Sequence, residues 1–191
     1  MKLERKIHFL LLFIMLVTIV IGTACSQINE KHKGALSIRQ NLDKYEVKTT
    51  PYEEEIIFEL NTSKMLEEID EPINVTTVHN TALYVTEIIE KDDSIIVLNV
   101  GFKYNYQSPS GEMLSLFQLN EDNTFTNSGV NIKMFDETGE EINVARGSGD
   151  GEKYGYEQWI GVQIPKDLLK ANEKLIFEIG GLNVLSYREL N

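Results

Sequence analysis

Apolar and polar residues alternate over most of the chain beyond residue 50, and this alternation predicts strands. The clearest run is Ile95 to Tyr106. There Ile96, Leu98, Val100, Phe102, Tyr104 and Tyr106 fall on one face, while Asn99, Gly101, Lys103 and Asn105 fall on the other. Only an extended backbone has a side-chain period of two. Ile56, Phe58 and Leu60 alternate with Glu55 and Glu59, Val130, Ile132 and Met134 with Asn131 and Lys133, and Leu175, Phe177 and Ile179 add a further strand. Ile73 to Val78, Leu83 to Ile89, Leu114 to Leu119, Ile142 to Val144, Tyr154 to Ile164 and Leu182 to Tyr187 complete a set of about ten candidates.

Turn residues separate these runs. Lys91-Asp92-Asp93-Ser94, Ser108-Pro109-Ser110-Gly111, Asp136-Glu137-Thr138-Gly139 and Gly180-Gly181 sit between apolar stretches, and such short connections imply antiparallel neighbours. Helical signal is confined to Thr62 to Ile69 and to Lys166 to Ala171, the latter opened by Pro165. Helices this short cannot serve as crossovers, so a parallel sheet is excluded. The expected fold is all-β: an antiparallel β-sandwich with minor short helical turns over residues 49–191.

The first 48 residues read differently. Lys2, Arg5 and Lys6 precede an apolar stretch from Phe9 to Ala24, about 16 residues against the ~20 of a membrane-spanning helix, which is the length of a secretory signal. Cys25 follows, the only cysteine of the chain. The segment Ile21-Gly22-Thr23-Ala24-Cys25 resembles the lipobox of bacterial lipoproteins, with Gly22 where that motif usually carries an aliphatic residue. The resemblance implies removal of residues 1–24 as a lipoprotein signal peptide and a diacylglyceryl anchor on Cys25. It places the mature chain on the extracytoplasmic face of a bacterial cell membrane. Residues 25–48 are polar, with scattered Leu36, Ile38 and Leu42, and read as a tether in which Leu36 to Tyr45 has the length for a short helix if it docks.

Charge narrows the partners. The chain carries a formal −12, and loss of the net +2 of residues 1–24 leaves the remainder at −14. Such a surface repels phosphate backbones and anionic headgroups, so nucleic acid is a poor candidate partner and cationic peptides, divalent ions or basic proteins fit better. With one cysteine no intramolecular disulfide forms, and the domain depends on its hydrophobic core.

The pattern of Ile95 to Tyr106, the Asp136 to Gly139 hairpin and the Pro165-led helical turn before a final strand pair resemble the immunoglobulin-like domains of small Gram-positive lipoproteins. That likeness spans Thr81 to Val184 and implies a binding or structural module, with no catalytic residues to carry over.

Catalytic and cofactor motifs are missing: there is no Gly-x-Ser-x-Gly elbow, His-Glu-x-x-His helix, Walker loop or Gly-x-Gly-x-x-Gly turn. His32 lies in the tether and His79 beside Asn80, neither with a sequence neighbour that would make it a general base. The oxygen-rich Asn120-Glu121-Asp122-Asn123 reads as a solvated turn or a weak calcium loop, without the EF-hand spacing. No metal or cofactor is expected.

The least ordinary stretch is Gly147 to Tyr156, read as a loop whose glycines let a ligand approach the backbone. Asp150, Tyr154, Tyr156 and Trp159 are the candidate ligand-binding residues. In strand register, Tyr154, Tyr156, Ile160, Val162 and Ile164 share a face, and Trp159 points the other way with Glu157, Gly161 and Gln163. A bulge near Gly155 or Gly161 would reverse this and bury the indole. An outward indole suits a sugar ring or a partner's apolar side chain. The expectation is therefore a lipid-anchored, non-enzymatic binding or accessory module of the cell envelope, its partner an envelope protein, a cationic peptide or a glycan. Two rival readings are a sequestering or immunity lipoprotein that captures cationic peptides, and an envelope hydrolase using a carboxylate pair.

Overall fold

The computed structural model describes residues 34–66, 71–153 and 156–190, so Cys25, His32 and Tyr154 lie outside the described residues. In chain order these carry helix α1 (Ala35–Arg39), strands β1 (Tyr45–Pro51) and β2 (Ile56–Asn61), helix α2 (Thr62–Met65), and strands β3 (Ile73–Val78), β4 (Thr81–Asp92), β5 (Ile95–Tyr104) and β6 (Ser110–Ser115). Next come β7 (Phe117–Leu119), β8 (Phe125–Asn127), β9 (Asn131–Phe135), β10 (Glu141–Ile142), β11 (Ala145–Lys153) and β12 (Tyr156–Pro165). Helix α3 (Lys166–Ala171) precedes β13 (Lys174–Gly180) and β14 (Asn183–Glu189).

The fold is all-β, as the alternation predicts. All the described strand pairs are antiparallel, in sheets ordered β11-β12-β5-β4-β3, β10-β9-β13-β2, β1-β14-β6 and β7-β8. The five-stranded and four-stranded sheets form the main sandwich. Leu83, Val85, Leu98, Val100, Phe102, Ile160 and Val162 of the first meet Phe58, Ile132, Met134, Leu175, Phe177 and Ile179 of the second. Phe58 and Phe177, directly paired across β2 and β13, stack at 5.0 Å. Pro165 supplies the extended residue before α3, and buried Leu169 of α3 and Met65 of α2 join the core from the connections.

The N-terminal boundary differs from the sequence expectation. From residue 34 onward the presumed tether is part of the domain, with Ala35 and Ile38 fully buried and Tyr45 to Pro51 paired along β14. These residues form a second small core with Met113, Leu185 and Tyr187. The alternation across β1 is masked because its outward positions are Glu46, Lys48 and Thr50 while its inward ones are only partly apolar. Helix α1 contributes two buried side chains in one turn, too few to show a period.

Candidate functional site

The region that sequence reading singled out is two strands, not a loop and a strand. Ala145 to Lys153 forms β11, hydrogen-bonded to β12, with a bulge between Asp150 and Lys153. Glycine is a poor strand former, yet its placement here is regular. Gly147 and Gly149 pair with Gly161 and Trp159 and face away from the core, whereas Ser148 and Asp150 face inward opposite Ile160 and Gln158.

The register continues across the sheet. Gly149, Trp159, Gly101 and Tyr84 stand side by side on β11, β12, β5 and β4. One step along, Gly147, Gly161, Asn99 and Glu87 form a second row, and Ala145, Gln163, Val97 and Ile89 a third. Rows lie about 6.8 Å apart and strands about 4.8 Å apart. This outer face therefore carries an aromatic row, then a row floored by two glycines, then a mixed row.

Trp159 points outward, as the sequence register has it. Its indole lies flat on the glycines: a β-carbon on Gly149 would stand 3.1 Å from Cζ2, and one on Gly161 would stand 3.5 Å from Cζ3. Tyr156 does not share the core face with Ile160, Val162 and Ile164. Its ring covers Gly101, where a β-carbon would be 2.5 Å from Cγ, and tilts against Tyr84 at 6.1 Å. Burial and the nearby Tyr84 raise the Tyr156 pKa above 10.0. Lys103 Nζ stands 6.0 Å over the Tyr84 ring.

In the second row of that face, two buried polar groups are not satisfied. Asn99 is 2% exposed, and its Nδ2 is buried without a hydrogen-bond partner. Glu87, directly opposite on β4, buries an equally unpartnered Oε2. A bulge between Val85 and Glu87 puts Thr86 beside Gly101, where its hydroxyl donates to the Asn99 carbonyl at 3.3 Å. Glu87 also lines a groove of about 340 Å³ with Met65, Leu66, Ile88, Ile89, Glu90 and Ile96.

Asp150 belongs elsewhere. It faces inward and pairs with Arg39 Nη1 at 2.9 Å, on the side of the sheet away from Trp159. The Arg39 guanidinium lies 3.7 Å above the Phe117 ring and 5.0 Å from that of Phe125. Glu157 accepts the Leu36 N–H at 2.9 Å, satisfying a donor of the first turn of α1. The Tyr104 hydroxyl is buried in the same cluster without a hydrogen-bond partner. Burial, then Glu157, raise its pKa well above 10.0, with Arg39 opposing and Asp150 adding.

No family model, curated protein or solved structure matches this chain. Its chemistry rests on the geometry alone.

Two other candidates are engaged locally. Asp122 Oδ1 turns back to accept from the Thr124 N–H at 3.1 Å and its hydroxyl at 2.6 Å, and these bonds lower its pKa. Asn120 donates to the Thr124 and Thr126 hydroxyls at 2.9 and 2.7 Å, so the loop spends its oxygens on itself. His79 Nδ1 meets Glu112 Oε2 at 2.9 Å, and its ring stands edge-on to Tyr52. Among the described residues no group of three or more His, Cys, Asp or Glu is placed to hold a metal ion.

Sequence reading named both Trp159 and Tyr156 but put them on opposite faces, and it missed Tyr84, Asn99 and Glu87. These three sit on β4 and β5, more than fifty positions away, and only cross-strand register brings them to the same rows.

Proposed function

We propose that this chain is a non-enzymatic binding module, anchored through an acylated Cys25 to the extracytoplasmic face of a bacterial membrane, and that it recognises its partner with the outer face of the five-stranded sheet. One observation carries the reading: Trp159, Tyr156 and Tyr84 gather on the glycine-floored outer face of the five-stranded sheet, away from the main core. Aromatic surface of this kind is where binding energy concentrates. A hydrolase would require a second carboxylate across the ligand, and the three rows contribute only Glu87. The proposed anchor lies nine residues before Gly34, a reach of at most about 30 Å, so the domain would stand close to the membrane.

The test has two parts. Cys25→Ala should move the protein from the detergent-extracted membrane fraction to an unacylated or released form. Full-length protein and a Trp159→Ala variant are then compared in capture from the envelope extract of cells that make it, at low and moderate salt. A partner lost with Trp159→Ala supports the reading. A partner retained by the variant but lost in salt points instead to the acidic surface and the capture of cationic ligands.

A further inference from the structure

We infer that the free edge of β2 takes up an extended basic segment of a partner protein as an added strand. This surface belongs to the four-stranded sheet, and the inference does not depend on the reading of the Trp159 face. β2 ends its sheet: among the described residues it pairs only with β13, so the backbone N–H and C=O groups of its other edge have no strand beside them. Such an edge is a template for a further strand. Side chains alternate along it. Ile56, Phe58 and Leu60 turn into the main core, while Glu55, Ile57 and Glu59 turn to the outer face, where the Glu55 Cγ lies 3.7 Å from the β-carbon position of Gly180. Ile57 is 62% exposed, the highest value for a large hydrophobic side chain among the described residues.

The cross-strand rows specify the occupant. Ile57, Glu178 and Lys133 form one outer row on β2, β13 and β9, and Glu59, Ile176, Phe135 and Glu141 the next, ending on β10. Half-buried Ile176 and Phe135 continue the apolar surface of Ile57 on the diagonal. Both lysines of this face are already engaged, Lys133 with Glu178 and Lys174 with Glu59 at 2.9 Å, whereas Glu55 reaches Lys133 only at 3.9 Å. Exposed Glu53 and Glu54 lead into the strand, so the edge is acidic along its approach. A second copy of this chain is disfavoured: an antiparallel pair of β2 strands centred on Ile57 sets each Glu55 against a Glu59, and like charges directly opposed are destabilising. A strand with basic residues opposite Glu55 and Glu59 and an apolar one opposite Ile57 turns both repulsions into attractions. Its main-chain bonds supply affinity, its charged pairs fix register, and its inward side chains extend the layer of Ile56, Phe58 and Leu60. The formal charge of −12 favours the approach of such a segment.

The probe is a fluorescently labelled peptide, blocked at both ends, of sequence Lys-Val-Leu-Ile-Lys, followed by anisotropy as full-length protein in non-ionic detergent is added. Its outward Lys-Leu-Lys row is symmetric, so it suits either strand direction. The expected result is saturable binding that weakens as salt rises and slows amide exchange within residues 56–61. The same peptide N-methylated at Val and Leu keeps its charge and side chains but loses ladder donors on both of its edges, and should not bind. Ile57→Lys, at an exposed position, should weaken binding about tenfold or more, and Glu55→Gln with Glu59→Gln should weaken it about threefold and flatten its salt dependence. Trp159→Ala, on the other sheet, should leave the affinity unchanged. If the N-methylated peptide binds as tightly as the parent peptide, or Ile57→Lys changes nothing, the attraction is one of diffuse charge and the added strand is overturned. Loss of binding with Trp159→Ala would overturn it in favour of the five-stranded sheet, and so would no binding up to about 1 mM overturn it outright.

Discussion

The two faces of the β11–β12 ladder are built from alternate residues of the same short stretch, and they are used in opposite ways. On the inner side Asp150 and Glu157 hold the N-terminal segment: one carboxylate pairs with Arg39, the other caps Leu36, and the guanidinium lies over the rings of Phe117 and Phe125. On the outer side Gly147, Gly149 and Gly161 remove side chains, Trp159 lies on the bared backbone, and Asn99 and Glu87 keep unpaired polar atoms. The inner polar groups close the fold. Unpaired polar atoms are not peculiar to the outer side, since Arg39 Nε, the Tyr104 hydroxyl and Gln158 Nε2 also lack hydrogen-bond partners on the inner one; what distinguishes the outer side is its aromatic rings on bared backbone.

The largest effect belongs to the inner side. Ile38→Ala should destabilise the protein by about 3 kcal/mol, since a fully buried side chain of the second core is lost along with the docking of α1. Arg39→Ala comes next. It leaves Asp150 and the buried Tyr104 hydroxyl without their cation and should cost about 2 kcal/mol, less than a fully buried pair because Asp150 is 32% exposed. Urea unfolding followed by circular dichroism measures both. A loss under about 0.5 kcal/mol in each would mean that residues 34–39 are dispensable to the domain and that the tether does extend to β1.

A substitution on the opposite face distinguishes the two sides. Trp159→Ala should change the unfolding free energy by no more than about 1 kcal/mol, because the indole is half-buried and rests on backbone. A cost matching that of Ile38→Ala would make Trp159 a structural residue, and the outer face would lose its claim as a recognition surface.

Strand identity was legible wherever one face is buried and the other wet, as in β2, where Ile56, Phe58 and Leu60 are buried and Ile57, Glu59 and Asn61 exposed. Local pattern failed in two circumstances. In β11 the outward residues are glycines and the inward ones Ser148 and Asp150, so neither hydrophobicity nor propensity marks a strand, and only the ladder to β12 enforces it. In α1 and β1 the burial is supplied by partners more than sixty residues away, namely Met113, Leu185 and Tyr187. The candidate site was half legible for the same reason. Trp159 declared itself by its own register, but Tyr156 crossed to the outer face beside the β11 bulge, and Asn99 and Glu87 read as ordinary strand positions until cross-strand pairing set them opposite each other.

The smallest effect at neutral pH is the most specific test of the inner cluster. Tyr104 has a pKa raised by burial and by Glu157, so the folded state holds its hydroxyl neutral beyond the pH at which an unfolded tyrosine ionises. A group whose folded pKa is raised contributes stability that is fully present below the unfolded pKa, near 10, and is lost as pH climbs toward the folded value. Tyr104→Phe removes both the ionisation and a hydroxyl without a hydrogen-bond partner. At pH 7 its thermal midpoint should equal or slightly exceed that of the parent, and at pH 11 the variant should be clearly the more stable. Tyr156→Phe, on the half-exposed outer face and with a milder upward shift, should show the same crossover more weakly. Parallel thermal melts at the two pH values decide it: equal alkaline losses in parent and Tyr104→Phe would mean that the hydroxyl reaches solvent, and that the inner face is as open as the outer one.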